Sequence, residues 1–467
     1  MTRPHHPWQW RLCLVVTGVL AGCTTGTAPP PAAPAAAIPA AQIAPAPPAA
    51  QTTPAAPAAP ATRPSAATVA TPAAAPAARA APVAPVAPRP VAVVPAKDLV
   101  APAPVTFEAS IARAGQELFA QAQVRLGSEP RALVIDPLID ANTGAQTIST
   151  ARMGEQLESI VKAQKMGWEV KPLTRAALAS QPLLLIGTLT PVNVERAIDA
   201  KPDAFRVWLT LIDLRSGRVV AKQLDRATVD SVNPAPLKFY ADSPTWHKDK
   251  TVLGYINSCQ VNTQIGDPAD PDYLARLPAA AVVNEAILAY DDGKIPAANK
   301  LYKEAQTLAD PGDMRVLNGL YLTSWQLGQR DAAAEAFSKL VDSGLEQKRL
   351  PVKLLFQPGR TTFNQIGDLP QQYQIWLTSL AQQAGKSNAC VRIVGHTSRT
   401  GSARLNETLS RHRAEAVQKL LEGNNRSLST RLSATGVGSR EALIGLGTDD
   451  MRDALDRRVE FRVVDCV

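Results

Sequence analysis

The chain has 467 residues, 45% of them apolar, with a formal charge of +8 and a pI near 9.3. That length admits two to four domains. The positive charge forms no lysine-rich block and no basic stripe interleaved with aromatics, so little supports a nucleic-acid partner. Five histidines and five cysteines are scattered, with no nucleophile–base pair and no metal-ligand spacing. The expectation is a binding protein with no cofactor and no metal, not an enzyme.

At the N-terminus, Arg3 and Arg11 precede the apolar run LCLVVTGVLAG. It is too short to span a bilayer in a mature protein and reads as a targeting segment. It ends in Leu20-Ala21-Gly22-Cys23. These residues resemble the lipobox of bacterial lipoproteins. The resemblance implies a signal peptide over residues 1–22 and a mature chain that starts at an acylated Cys23. A thiol is needed there because its thiolate takes the lipid. Thr24, not Asp, follows the cysteine. By resemblance to enterobacterial sorting, that implies the outer membrane. Several acyl chains, palmitate among them, hold a protein firmly where one does not. Cys259, Cys390 and Cys466 then remain in a compartment that permits disulfides. Three is odd, so at least one stays free or pairs outside the chain.

From 23 to 104 the composition collapses to Ala, Pro, Thr and Val. Ala28 to Pro104 holds 21 of the 40 prolines. Such a segment lacks the large apolar groups that a core needs. It reads as a disordered tether with polyproline II character, able to span on the order of 200 Å at its most extended.

Residues 105–262 read as an α/β unit. A helix over Phe107 to Leu126 buries Ile111, Leu118, Phe119 and Ala122. ALVIDPLID is a strand with Pro137 near its end. A helix from Arg152 to Ala163 follows, then the short strand at Trp168 and the buried strand QPLLLIGTLTPV. FRVWLTLIDLRSGRVVAKQL is a hairpin turning at Arg215 to Gly217, with Val207, Leu209 and Leu211 on one buried face. The Asn142-Thr143 pair, the LLLIGTL strand and the LTLIDLRSGRVV hairpin resemble the lipoprotein family that includes TolB N-domains, CsgG and the synthase activator LpoB. That resemblance implies binding of a protein partner. His247 is expected to be a surface or packing histidine.

Over 277–344, Gly293, Ala298 and Tyr302 recur as Gly328, Ala333 and Phe337, 35 residues on. The pattern resembles tetratricopeptide repeats. Two repeats fall short of the three that usually stand alone, so they should lean on a neighbour.

Residues 350–467 read as β–α–β–α–β–β, a two-layer sandwich. The strands are LPVKLLF, ACVRIVGHT, RLSATGVGS and RRVEFRVVDCV. One helix runs through Tyr373, Trp376, Leu377 and Leu380. The other spans Leu409 to Leu421, with Ala414, Val417, Leu420 and Leu421 inward. Cys390 opens the second strand and Cys466 closes the last, so adjacent antiparallel strands would let them pair. This part carries 16 Lys+Arg against 11 Asp+Glu, which suits either an acidic polymer or a solvated basic face. Gly395-His396-Thr397, Gly401, Asn406, Leu409-Ser410, Arg413-Ala414, Gly436, Gly438 and Asp456-Arg457-Arg458-Val459-Glu460 resemble the OmpA-like peptidoglycan-associated domain.

The OmpA-like resemblance implies a site for the diaminopimelate of a peptidoglycan stem, lined by His396, Thr397, Ser398, Asn406 and Arg413. An arginine, here Arg413, would fork onto the ligand's carboxylate. An acid would hold its ammonium, but this chain has Ser398 at that position. A hydroxyl accepts a hydrogen bond and supplies no charge. Loss of such a partner costs about 2–5 kcal/mol, so binding should be weak and salt-sensitive. Ser398→Asp is then expected to tighten it.

The whole is an α/β (α+β) multidomain chain. As a periplasm-facing outer-membrane lipoprotein it would tether the envelope to peptidoglycan and scaffold a periplasmic protein. The alternative, kept open by Ser398, is an accessory lipoprotein of a wall synthase or secretion machine whose OmpA-like fold docks protein.

Overall fold

The computed structural model describes residues 101–467, apart from 128, 165–166, 194–200, 261 and 467. All of them belong to one compact unit, Val86–Val467. The expectations on the signal peptide, on Cys23 and on nearly all of the tether fall outside the described residues.

Helix α1 spans Phe107–Leu126, with Thr106 as its cap accepting from the Ala109 amide. Next come β1 Arg131–Ile135, α2 Ile148–Gln164, β2 Trp168–Lys171, α3 Arg175–Ala179 and β3 Leu183–Val192. The hairpin is β4 Ala204–Asp213 and β5 Arg218–Thr228, with Gly217 at φ 66° in its turn. Proline ends β1 early, and Ile139 rejoins the sheet only as a lone bridge to Thr188. The sheet runs β2-β1-β3-β4-β5, parallel through β3 and antiparallel beyond.

The expectation of one buried face is half of what is found. Val207, Leu209 and Leu211 meet α1 and α2. Trp208 and Ile212 on the reverse face are equally covered, by α5 (Lys250–Cys259) and α6 (Pro271–Asp291). The short α4 (Lys238–Asp242) precedes them. His247 is a packing histidine, buried between Phe239 and Tyr240 with ring centroids 5.6 and 4.8 Å away. Cys259 is a free, buried thiol whose pKa burial pushes up to about 12, so it is inert.

Helices α6, α7 (Ile295–Leu308), α8 (Met314–Gln326) and α9 (Arg330–Glu346) form two helical pairs. Gly293 and Gly328 turn them with positive φ, and Ala298, Tyr302, Ala333 and Phe337 are wholly buried. The Tyr302 ring lies against Gly319, where an added Cβ would sit 2.1 Å from it.

The last part follows as β6 Lys353–Leu355, α10 Leu369–Lys386, β7 Cys390–Gly395, α11 Ala403–Asn424, β8 Leu432–Gly436 and β9 Arg458–Val464. Its sheet runs β6-β9-β7-β8, with only β7 and β8 parallel. Helix α11 starts a turn and a half before the expected Leu409, because Ser402 caps it. Leu420, expected inward, is 41% exposed, while Ala414, Val417 and Leu421 are buried. The inward stripe advances by three and four residues from 414 to 417 and 421, which turns Leu420 outward. Cys390 and Cys466 are joined as a disulfide with Cα atoms 5.2 Å apart.

Helix α11 rides directly on two glycines. A Cβ at Gly395 would stand 1.9 Å from the Ser410 carbonyl oxygen, and one at Gly436 would stand 2.3 Å from the Arg411 nitrogen. Gly395→Ala should therefore lift the helix and cost at least about 2–3 kcal/mol. Chemical denaturation of the full chain measures this, and an unchanged midpoint would refute so close a seat.

Candidate functional site

Strand β7 ends at Gly395 and the chain loops through 396–402 into α11. Asn406, on the first turns of α11, donates to the carbonyls of Ser398 (3.3 Å) and Thr400 (3.0 Å) and so shapes that loop. The Thr397 amide bonds the Gly438 carbonyl at 3.0 Å.

Arg413 is fully buried beneath the loop. Its Nε donates to the Arg360 carbonyl at 2.9 Å, Nη1 to that of His396 at 2.8 Å and Nη2 to that of Gln357 at 2.9 Å. The guanidinium also lies 5.2 Å from the Phe356 ring centre. Burial and the nearby Arg457 draw its pKa down to about 10, which still leaves it charged at neutral pH. This arginine therefore pins two loops together before any ligand arrives.

His396 is wholly buried, with Nε2 3.3 Å from Glu460 Oε1 and Nδ1 3.9 Å from Glu441 Oε2. Neither ring nitrogen is aligned for a hydrogen bond. Among the described residues this trio is the one set of His, Cys, Asp and Glu side chains grouped closely enough for a metal. Its carboxylates are already paired, Glu460 with Arg458 at 3.1 Å and with Arg462 at 2.9 Å, and Glu441 with Arg462. A cation would have to displace two guanidiniums, so the trio does not suit one.

All five of the expected site residues, His396, Thr397, Ser398, Asn406 and Arg413, thus come together in space, and all five are buried. An acid from elsewhere in the chain stands beside position 398. Ser398 Oγ donates to Asp449 Oδ1, from the loop before β9. Arg457 Nη1 stands 3.4 Å from that same oxygen and 3.2 Å from Asp453. Asp456 fastens the same loop by accepting the amides of Leu443 (2.6 Å), Ile444 (3.1 Å) and Gly445 (2.7 Å). Sequence reading missed Asp449, which lies 51 residues from Ser398. The signal lay in strand pairing, since Gly395 opposite Val459 brings the 449–458 segment beside 396–399.

A four-stranded mixed sheet with two helices, and a loop pinned by an arginine at the head of the second, makes the C-terminal part an OmpA-like domain. Residues 355–454 match the family model of the OmpA family. Similar solved structures include the peptidoglycan-associated lipoprotein from Burkholderia pseudomallei, at 25% identity over 24% of this chain and 89% of that one, TM-score 0.21. An outer-membrane protein from Borrelia burgdorferi B31 is 22% identical over 24% and 85%, TM-score 0.19. The periplasmic domain of Helicobacter pylori MotB is 20% identical over 25% and 74%, TM-score 0.21. No curated protein matches the chain.

The buried imidazole gives a pH signature. Burial and Arg458 lower the pKa of His396 from 6.5 to about 4. Below pH 6.5 the unfolded chain takes up a proton that the folded chain refuses until about pH 4. Its contribution is complete above pH 6.5 and is lost as pH falls through that window, by about 3 kcal/mol at most. His396→Gln should flatten that part of the stability–pH curve. Parallel wild-type and variant slopes between pH 6.5 and 4 would contradict this.

Proposed function

We propose that this chain is a lipid-anchored, periplasm-facing protein of the outer membrane whose C-terminal domain binds the diaminopimelate stem of peptidoglycan. On this reading Cys23 carries the lipid and 23–104 is the tether. The α/β unit offers its surface to a periplasmic protein, and the role is binding rather than catalysis. The observation that carries the reading is the OmpA-family match over 355–454, together with a charged cluster at the mouth of the 396–402 loop. No helix among the described residues is long and apolar enough to cross a membrane, so on this reading the lipid is the anchor.

The second reading, a docking module for protein, draws on one observation. The Arg413 guanidinium is already committed to three carbonyls, where a free fork would be needed to clamp a carboxylate alone. Co-sedimentation of the full chain with purified sacculi separates the two. Wall binding predicts a pelleted fraction that shrinks several-fold between about 50 and 300 mM salt, because exposed charges carry it. A chain that stays in the supernatant at low salt leaves the docking reading in place.

The anchor has its own test. Cys23→Ala should yield an uncleaved or soluble chain in membrane fractionation, and normal outer-membrane fractionation would exclude lipidation at Cys23.

A further inference from the structure

We propose that Asp449 supplies the carboxylate that position 398 lacks, and that Ser398 serves to aim it. The inference rests on the wall-binding reading and names the group that would meet the ligand's ammonium. Three observations carry it. Ser398 Oγ donates to Asp449 Oδ1, so the acid sits where a longer side chain at 398 would end. Asp449 is 30% exposed, whereas all five residues expected to form the site are buried. Both contacts of Asp449 use Oδ1, which leaves Oδ2 for a donor from outside.

The surroundings suit a ligand bearing an ammonium. Behind Asp449 stands Arg457, buried, with Nη1 shared between Asp449 and Asp453 and an Nε that has no partner. Thr397 Oγ1, one residue from Ser398, is likewise buried and unpartnered. The cluster offers one accessible negative charge, on Asp449, to an ammonium, while the buried Arg457 holds that carboxylate in place from behind. Backbone amides and carbonyls already consume Asp453, Asp456 and Arg413, so these three hold the frame.

This arrangement reverses the expectation for Ser398→Asp. That change would set a second carboxylate against Asp449, and like charges at hydrogen-bond distance disfavour each other. The single variant should therefore bind sacculi no more tightly than wild type.

The experiment compares four full-length chains for co-sedimentation with sacculi, with free diaminopimelic acid as competitor. Wild type should pellet and be competed. Asp449→Asn keeps an acceptor for Ser398 but loses the charge, and its affinity should fall about ten-fold or more. Ser398→Asp should not gain. The double variant Ser398→Asp/Asp449→Ser returns one acid to the same place and should recover wild-type affinity to within about three-fold. The exchange also restores a Ser–Asp hydrogen bond between the two loops, so competition by free diaminopimelic acid, and not folding alone, is the readout. Wild type that pellets together with an equally bound Asp449→Asn overturns the inference and spares the wall-binding reading. Wild type that does not pellet overturns both. Should Asp449→Asn fail to fold, the double variant decides. A folded double variant that does not bind counts against the inference, and one that binds supports it.

Discussion

Helix α6 is apolar on two faces, and that constraint organises everything around it. One face, with Tyr273, Leu277 and Ala281, closes the reverse side of the five-stranded sheet. The other, with Val283, Ile287 and Tyr290, joins a core that runs on through α8 and α9. There Tyr321 accepts from Trp376 Nε1 and donates to Gln372, both at 2.6 Å, and Phe337 stacks on Trp376 6.1 Å away. Two helical pairs cannot cover that much apolar surface alone. They remain folded because an α/β layer covers one side and the OmpA-like sheet and helices the other. The helical segment is thus a shared wall.

The same economy shows in the loop above α11. Its architecture uses buried charges that never face solvent. Arg413 holds three carbonyls, and Asp456 holds three amides. Removing either would strand several polar groups at once. Asp449, 30% exposed beside the buried Ser398 and Arg457, is the part of this cluster that solvent reaches.

Much of this was legible in the sequence for physical reasons. Periodicity placed α1, β3, the β4–β5 hairpin and α10, because each buries a regular apolar stripe. Gly217 marked the hairpin turn, whereas Gly293 and Gly328, legible as repeat positions, proved to be positive-φ turns between helices. Pairing between distant segments was not legible. Coverage of the sheet's second face depends on α5 and α6, whose apolar residues do not announce a target. The partnership of Ser398 with Asp449 depends on strand register, which a local pattern does not contain. Likewise, the presence of an arginine at 413 was plain, but its engagement by backbone carbonyls was not.

The junction at β6 bears on how the chain carries load. Lys353 donates its amide to the Pro244 carbonyl at 2.8 Å and its Nζ to the carbonyls of Ser243 (2.6 Å) and Thr245 (2.7 Å). The Trp246 amide bonds the Pro351 carbonyl at 2.8 Å. On its other edge β6 pairs with β9, and β9 is stapled to β7 by the Cys390–Cys466 disulfide. Four hydrogen bonds thus tie the 243–246 segment to 351–353, on the edge of the three-residue β6 opposite its pairing with β9. A short strand that would peel easily alone becomes the middle ply of a laminate, backed on one edge by a covalent cross-link.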